Sequence, residues 1–153
     1  MWTACGLGKW CGKGMTLPQI LLANPDYFFW AFEQGAFRGR NADEAKELDR
    51  KARRIKIPKP DPENWEIQYW FGPHGEFSRF DVIEADRPPH LGSSIEVMAE
   101  YLDLSLLRQK KPYDKKGYRL LVLCFKHYYF GSSKVRLTKE RCEAFFDDPL
   151  NFV

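Results

Sequence analysis

Trp65-Glu66-Ile67-Gln68-Tyr69-Trp70-Phe71 sets Trp65, Ile67, Tyr69 and Phe71 on one side of an extended chain and Glu66, Gln68 and Trp70 on the other. That period of two is the pattern of a strand with one buried face. Gly72-Pro73-His74-Gly75 supplies a turn, residues 77–84 return as the partner strand, and Pro88-Pro89 ends the hairpin. Further on, Ser93 and Glu96 have the spacing of a capping box and open an amphipathic helix through Ile95, Met98 and Leu102 toward Leu106. Residues 118–130 are apolar on both faces in their middle and read as a central strand. Gly131-Ser132-Ser133 permits a hairpin to a strand over 134–137, and Thr138 caps a last helix whose Phe145 and Phe146 pack back before Pro149. The order is ββαββα, an α+β domain with a mainly antiparallel sheet and helices on one face.

Upstream of the hairpin, Pro58-Lys59-Pro60-Asp61-Pro62 blocks both helix and central strand and favours an extended, stiff connector. The boundaries that follow are an N-terminal module over 1–57, a proline-rich linker over 58–62 and an α+β domain over 63–153. In the module, Gly6, Gly8, Gly12 and Gly14 punctuate Cys5, Leu7, Trp10 and Cys11, suggesting two short strands around tight turns. Thr16-Leu17-Pro18-Gln19 has capping-box spacing for a first helix, Asn24-Pro25 starts a second that Gly35 ends, and Asn41 with Glu44 caps a third. Ala45, Leu48, Ala52 and Ile55 are the buried stripe of that third helix, with Lys46, Arg50, Arg53 and Arg54 on another sector.

Charge divides along the same boundary. The 153 residues carry a net charge of +3; residues 1–60 hold 11 basic and 6 acidic side chains, and the remainder 13 and 15. The positive excess belongs to the N-terminal region alone. No apolar run approaches the roughly 20 residues that span a bilayer, and the start lacks the basic and apolar segments of a secretory signal, so the expected location is cytoplasmic with no membrane partner. Cys5 and Cys11 are too far apart for a common zinc knuckle, His74, His90 and His127 are scattered, and Cys124 and Cys142 read as core thiols. Neither a metal nor a cofactor is expected.

The segment Gly8-Lys9-Trp10-Cys11-Gly12-Lys13-Gly14-Met15-Thr16-Leu17 is the most distinctive. It is not a phosphate loop: Leu7 stands where the first glycine belongs, and Gly14 where a hydroxyl must bind magnesium. Gly8, Lys9, Trp10, Gly12, Lys13, Thr16, Leu17, Ile20, Pro25, Asp26, Tyr27 and Trp30 instead follow a Gly-Lys-aromatic-x-Gly-Lys pattern, a Thr-Leu helix start and a Pro-Asp-Tyr with a later Trp. In this the chain resembles the C-terminal module of exonuclease X and the related quorum-sensing-regulated virulence factor family, often encoded by bacteria and their phages. The resemblance is confined to about residues 5–35, departs at Leu7 and Cys11, and does not extend to the nuclease domain.

The residues themselves allow two readings of Trp10. Lys9 and Lys13 beside the indole offer two cations next to a ring that stacks a base; alternatively, the indole plugs a core with Tyr27 and Trp30. The first reading, extended by Lys46, Arg50, Arg53, Arg54, Lys56 and Lys59, gives a basic end that tracks phosphates without sequence preference. Asp81, Glu84 and Asp86 lie close in sequence, as a two-metal nuclease would require, but lack the accompanying lysine. The expected function is therefore a non-enzymatic nucleic-acid-associated accessory protein whose site comprises Lys9, Trp10, Lys13, Lys46, Arg50, Arg53, Arg54 and Lys56. The alternative is a phage- or mobile-element-encoded interaction protein that blocks a host enzyme or defence complex, anchored by Trp70, Phe71, Tyr128 and Tyr129. Oligomeric state is left open.

Overall fold

The alternating stretch forms the middle of a three-stranded antiparallel sheet ordered β2-β1-β3, with β1 at Trp65–Phe71, β2 at Phe77–Glu84 and β3 at Ile95–Ala99. The computed structural model describes residues 1–86 and 95–153, and the helices within them are α1 (Leu17–Ala23), α2 (Pro25–Glu33), α3 (Arg40–Ala52), α4 (Leu107–Lys110), α5 (Lys115–Phe130) and α6 (Lys139–Asp147). The chain is α+β, and from β1 onward the order is βββααα among the described residues.

Register puts Tyr69 opposite Phe80 on one side and Val97 on the other, so Ile67, Tyr69 and Phe71 share the inner face with Phe80, Val82 and Val97. α5 packs on β2, with the Tyr128 ring stacked on Phe80 at 5.5 Å between centroids. Because β1 is central, its outward row is flanked on both sides: Gln68 is buried and donates to Glu96 Oε2 at 3.0 Å, while Glu66 and Trp70 are half-buried.

Three expectations fail here, each for a physical reason. Residues 118–130 are helical, within a 16-residue element that Asp114 caps and Gly131 ends in the left-handed region at φ 86°. Tyr118, Leu121 and Phe125 form its deepest row at helical spacing. Half-buried Leu120, Val122 and Cys124 widen the apolar surface until the period is blurred. Residues 95–99, expected in a helix, complete the sheet, because Val97 and Ala99 fill the inner face beside Tyr69 and Ile67. The Ser93 end of that expected helix and the Pro88-Pro89 pair lie outside the described residues. Residues 134–137 form no strand; a turn closes instead through Val135 N–H to Ser132 O.

The N-terminal region forms a 3₁₀ turn at Gly8–Trp10 and an isolated bridge between Ala4 and Thr16, not two strands. Its helices lie where expected, but their polar starts serve other partners. Thr16 is buried and donates its hydroxyl to Glu143 Oε2 at 2.6 Å, and Gln19 donates to Leu137 O, so both lock α1 to the α6 region instead of capping. A charged acceptor makes that bond stronger than a neutral cap. Asn41 lies inside α3, after Gly39, and holds the N-terminal strap through Thr3 O while Thr3 N–H reaches Glu44 Oε2. Thr138 caps α6 as expected, accepting from Arg141 N–H.

The proline-rich stretch at 58–62 does not divide the interior into separate cores. One buried cluster runs from Cys5, Leu17 and Phe28 through Ile55 and Tyr69 to Phe125 and Phe146. Ile55 bridges both Leu102 and Phe152, and Val153 N–H donates to Arg54 O. The first sixty residues are built into the same interior as the sheet.

Candidate functional site

Burial decides first between the two readings of Trp10. Its indole is 3% exposed and meets Tyr27 edge-on at 4.3 Å between centroids, so it is a core plug and presents no face to a base. Gly8 makes that packing possible: its φ is +54°, and a Cβ there would come within 3.1 Å of the Tyr27 hydroxyl.

The expected cations do not form one face. Arg50 pairs with Glu47 at 2.6 Å, and this guanidinium pulls the Glu47 carboxyl below its usual range. Arg53 pairs with Asp49 at 3.0 Å and donates to Ser105 Oγ at 2.8 Å. Arg54 lies over the Tyr101 ring and, with Lys56, lines a cleft of ≈ 430 Å³ that also holds Glu63, Glu66 and Glu100. Three carboxylates against two cations make that cleft poor for an anion. Lys13 and Lys46 are exposed on the N-terminal loop and on α3. Lys9 reaches a different concave surface, one in which Asp26 is the single carboxylate among the lining residues.

The Lys9 ammonium lies 5.0 Å from the centroid of Trp10 and 5.7 Å from that of Tyr27, over two ring systems. It lines a cleft of ≈ 500 Å³ with Pro25, Asp26, Lys115, Arg119 and Leu123. A second cleft of ≈ 480 Å³ shares Asp26, Lys115 and Tyr118 with the first and is walled by Tyr27, Trp30, Arg108 and Tyr113. The two adjoin between α2 and the start of α5, and we refer to them as the two ends of one depression. Three cations, Lys9, Lys115 and Arg119, stand at one end. At the other, Trp30 is 47% and Tyr113 72% exposed.

Local sequence explains each wall. Tyr27 and Trp30 fall three apart on α2 and share a face, with ring centroids 5.6 Å apart. Arg108 grips Glu33 with two hydrogen bonds of 3.0 and 2.7 Å, tying α4 to α2. Asp114 is buried, accepting from Gly117 N–H and from Phe77 N–H, each at 2.8 Å, which anchors the start of α5 to the sheet. A Cβ at Gly117 would collide with that carboxylate. On the other side, Gly75 takes φ +81° where a Cβ would sit 2.5 Å from Lys110 O, so the turn and the α4 end touch backbone to backbone.

No family model matches this chain. Neither a curated protein nor a solved structure resembles it at a significant level. Five residues of the N-terminal sequence pattern, Lys9, Pro25, Asp26, Tyr27 and Trp30, line this depression.

Tyr118 is the remaining wall. It is 3% exposed, and its hydroxyl is buried with no hydrogen-bond partner among the described residues. Burial pushes its phenol well above the usual tyrosine value. Sequence reasoning misses this site because it places Lys115, Tyr118 and Arg119 in a strand or its approach. On a helix the spacing 115, 118, 119 is one face.

Other expected chemistry is occupied. Asp81 accepts from Trp70 Nε1, Arg79 Nε and the Tyr128 hydroxyl, holding the sheet edge together. Glu84 and Asp86 are exposed. Of the rings expected to anchor a protein partner, Phe71 is buried, Tyr128 is half-buried on Asp81 and Tyr129 donates to Lys56 O. No helix of the described residues is long and apolar enough to cross a membrane.

Proposed function

We propose that the protein is a non-enzymatic nucleic-acid-associated accessory protein and that it meets its partner through the depression between α2 and α5. The observation that supports this most is the placement of Lys9, Lys115 and Arg119 around one concavity beside exposed aromatic rings. Cations hold phosphates without reading sequence, and exposed rings offer stacking surface to any base. This moves the contact away from Trp10 and from the paired arginines of α3, while keeping Lys9.

Binding of labelled oligonucleotides, followed by anisotropy across a salt series, tests the reading. Three neutralised phosphates give a slope of log affinity against log salt of about −2 on single strands and about −3 on duplex. Reversing the three cations together, as Lys9→Glu, Lys115→Glu and Arg119→Glu, should abolish binding, whereas Arg50→Glu should leave it within about twofold because that guanidinium is already paired and lies elsewhere. Absence of binding at low salt, or binding insensitive to the triple variant, refutes it.

A further inference from the structure

We infer that the Trp30–Tyr113 end of the depression is a seat for one unpaired nucleobase, so that the protein selects single-stranded over duplex nucleic acid; this rests on the nucleic-acid reading above and makes it specific. Four features of the cleft converge on that ligand. Trp30 and Tyr113 leave ring surface open at its mouth, and Tyr27 continues the aromatic wall inward. Its volume of ≈ 480 Å³ falls within the range of small-molecule sites and admits a planar heterocycle. Asp26 supplies an acceptor for a base amino or imino group. Tyr118, almost wholly buried, closes the floor.

Asp114, which also lines this cleft, is engaged by two backbone N–H groups, and the positive excess lies at the adjoining Lys9–Arg119 end, where it favours a nucleotide over an apolar peptide segment. Lys115 lines both halves of the depression, so a phosphate attached to the seated base stays within reach of a cation, and Lys9 and Arg119 continue the positive track. Arg108, though it lines the wall, is neutralised by Glu33 and shapes the cleft without adding to that track. A duplex keeps its bases stacked and paired; only an unpaired base enters such a slot without the cost of extrusion.

The test compares three fluorescein-labelled probes of about ten nucleotides: a natural single strand, the same length of abasic phosphodiester, and a duplex. One stacked base predicts that the natural strand binds about 5- to 150-fold tighter than the abasic one. Trp30→Ala, at an exposed position, should shrink that ratio by lowering binding of the natural strand more than that of the abasic one. Natural and abasic probes bound equally by the wild type, or a ratio unmoved in Trp30→Ala, overturns the base seat while salt-dependent binding preserves the broader reading. If no probe binds, both fall. A proline-rich peptide that binds the wild type but not Trp30→Ala, where no oligonucleotide does, reassigns the cleft to a protein ligand.

Discussion

Replacing Tyr118 with Phe removes a single oxygen and keeps the ring that fills the floor between α5 and α2. In the free protein that oxygen is buried with no partner among the described residues. A buried, unsatisfied polar group destabilises by about 1–3 kcal/mol relative to an apolar replacement of the same shape. The variant should therefore be more stable than the wild type by about 1–2 kcal/mol, allowing for some relaxation around the hydroxyl. For a chain of this length, each kcal/mol raises Tm by about 2–4 °C, a gain of about 2–8 °C. Urea unfolding should show a raised midpoint with an unchanged slope, since the surface exposed on unfolding hardly differs. The pH dependence adds a second signature. Burial raises the folded phenol above its ordinary value of 10.0, so the folded state holds the proton where the unfolded state has released it. Wild-type stability from this group is complete below that value and is lost as pH rises above it; Tyr118→Phe lacks this loss, and the gap between the two widens in alkali. A variant less stable than wild type at neutral pH would mean that the hydroxyl has a partner in the free protein, which refutes the reasoning.

Trp10→Ala should cost about 3–5 kcal/mol in denaturant unfolding, the range for emptying a core of a large aromatic ring, whereas Trp30→Ala should stay within about 1 kcal/mol of wild type because its ring is 47% exposed. Equal losses would contradict their assignment to core and surface. Asp114→Ala removes the α5 cap and orphans Phe77 N–H, and the two effects together predict a loss of about 2–4 kcal/mol by the same assay. Labelling with a thiol reagent near pH 8 should modify Cys11 first, since it is exposed, while Cys142, pushed up to about 12 by burial, and buried Cys5 react only after denaturation. Four thiols should then be counted, as all four cysteines are free.

The fold is legible in the sequence where one local rule acts alone. The alternation of residues 65–71 and the glycine-bounded turn after it give the hairpin, Thr138 and Phe145-Phe146 give α6, and Pro25 with Gly35 give the limits of α2 to within two residues. Errors arise where tertiary contact overrides pattern. Residues 118–130 are apolar around most of their circumference because α5 has the sheet on one side and α2 and α6 near others, and such a run cannot be told from a buried strand by periodicity. Length is the overlooked signal: 13 residues exceed an ordinary strand, and Asp114 with Gly131 bracket them as cap and stop. Thr16 and Asn41 show the converse: Glu143 claims the Thr16 hydroxyl in place of a cap, and Asn41, inside α3, divides its amide between Thr3 O and Glu44 Oε1.

The same distinction separates Trp10 from Trp30, two indoles in one short pattern. Adjacent lysines suggest that Trp10 is open, yet a Lys ammonium can lie over a ring whose other faces are sealed, as Lys9 does above Trp10 and Tyr27. Sealing Trp10 fixes Tyr27 edge-on against it, and Tyr27 in turn backs Trp30 on the next turn of α2. The buried indole thus holds the aromatic wall in place, and the exposed one is the ring that the proposed base seat uses. If Trp10 is the support, a conservative Trp10→Phe change should weaken single-strand binding only in step with its effect on stability, and raising the stability of that variant with an osmolyte should restore binding. Trp30→Ala should show the opposite pattern: near-normal stability, with a binding defect that no osmolyte repairs.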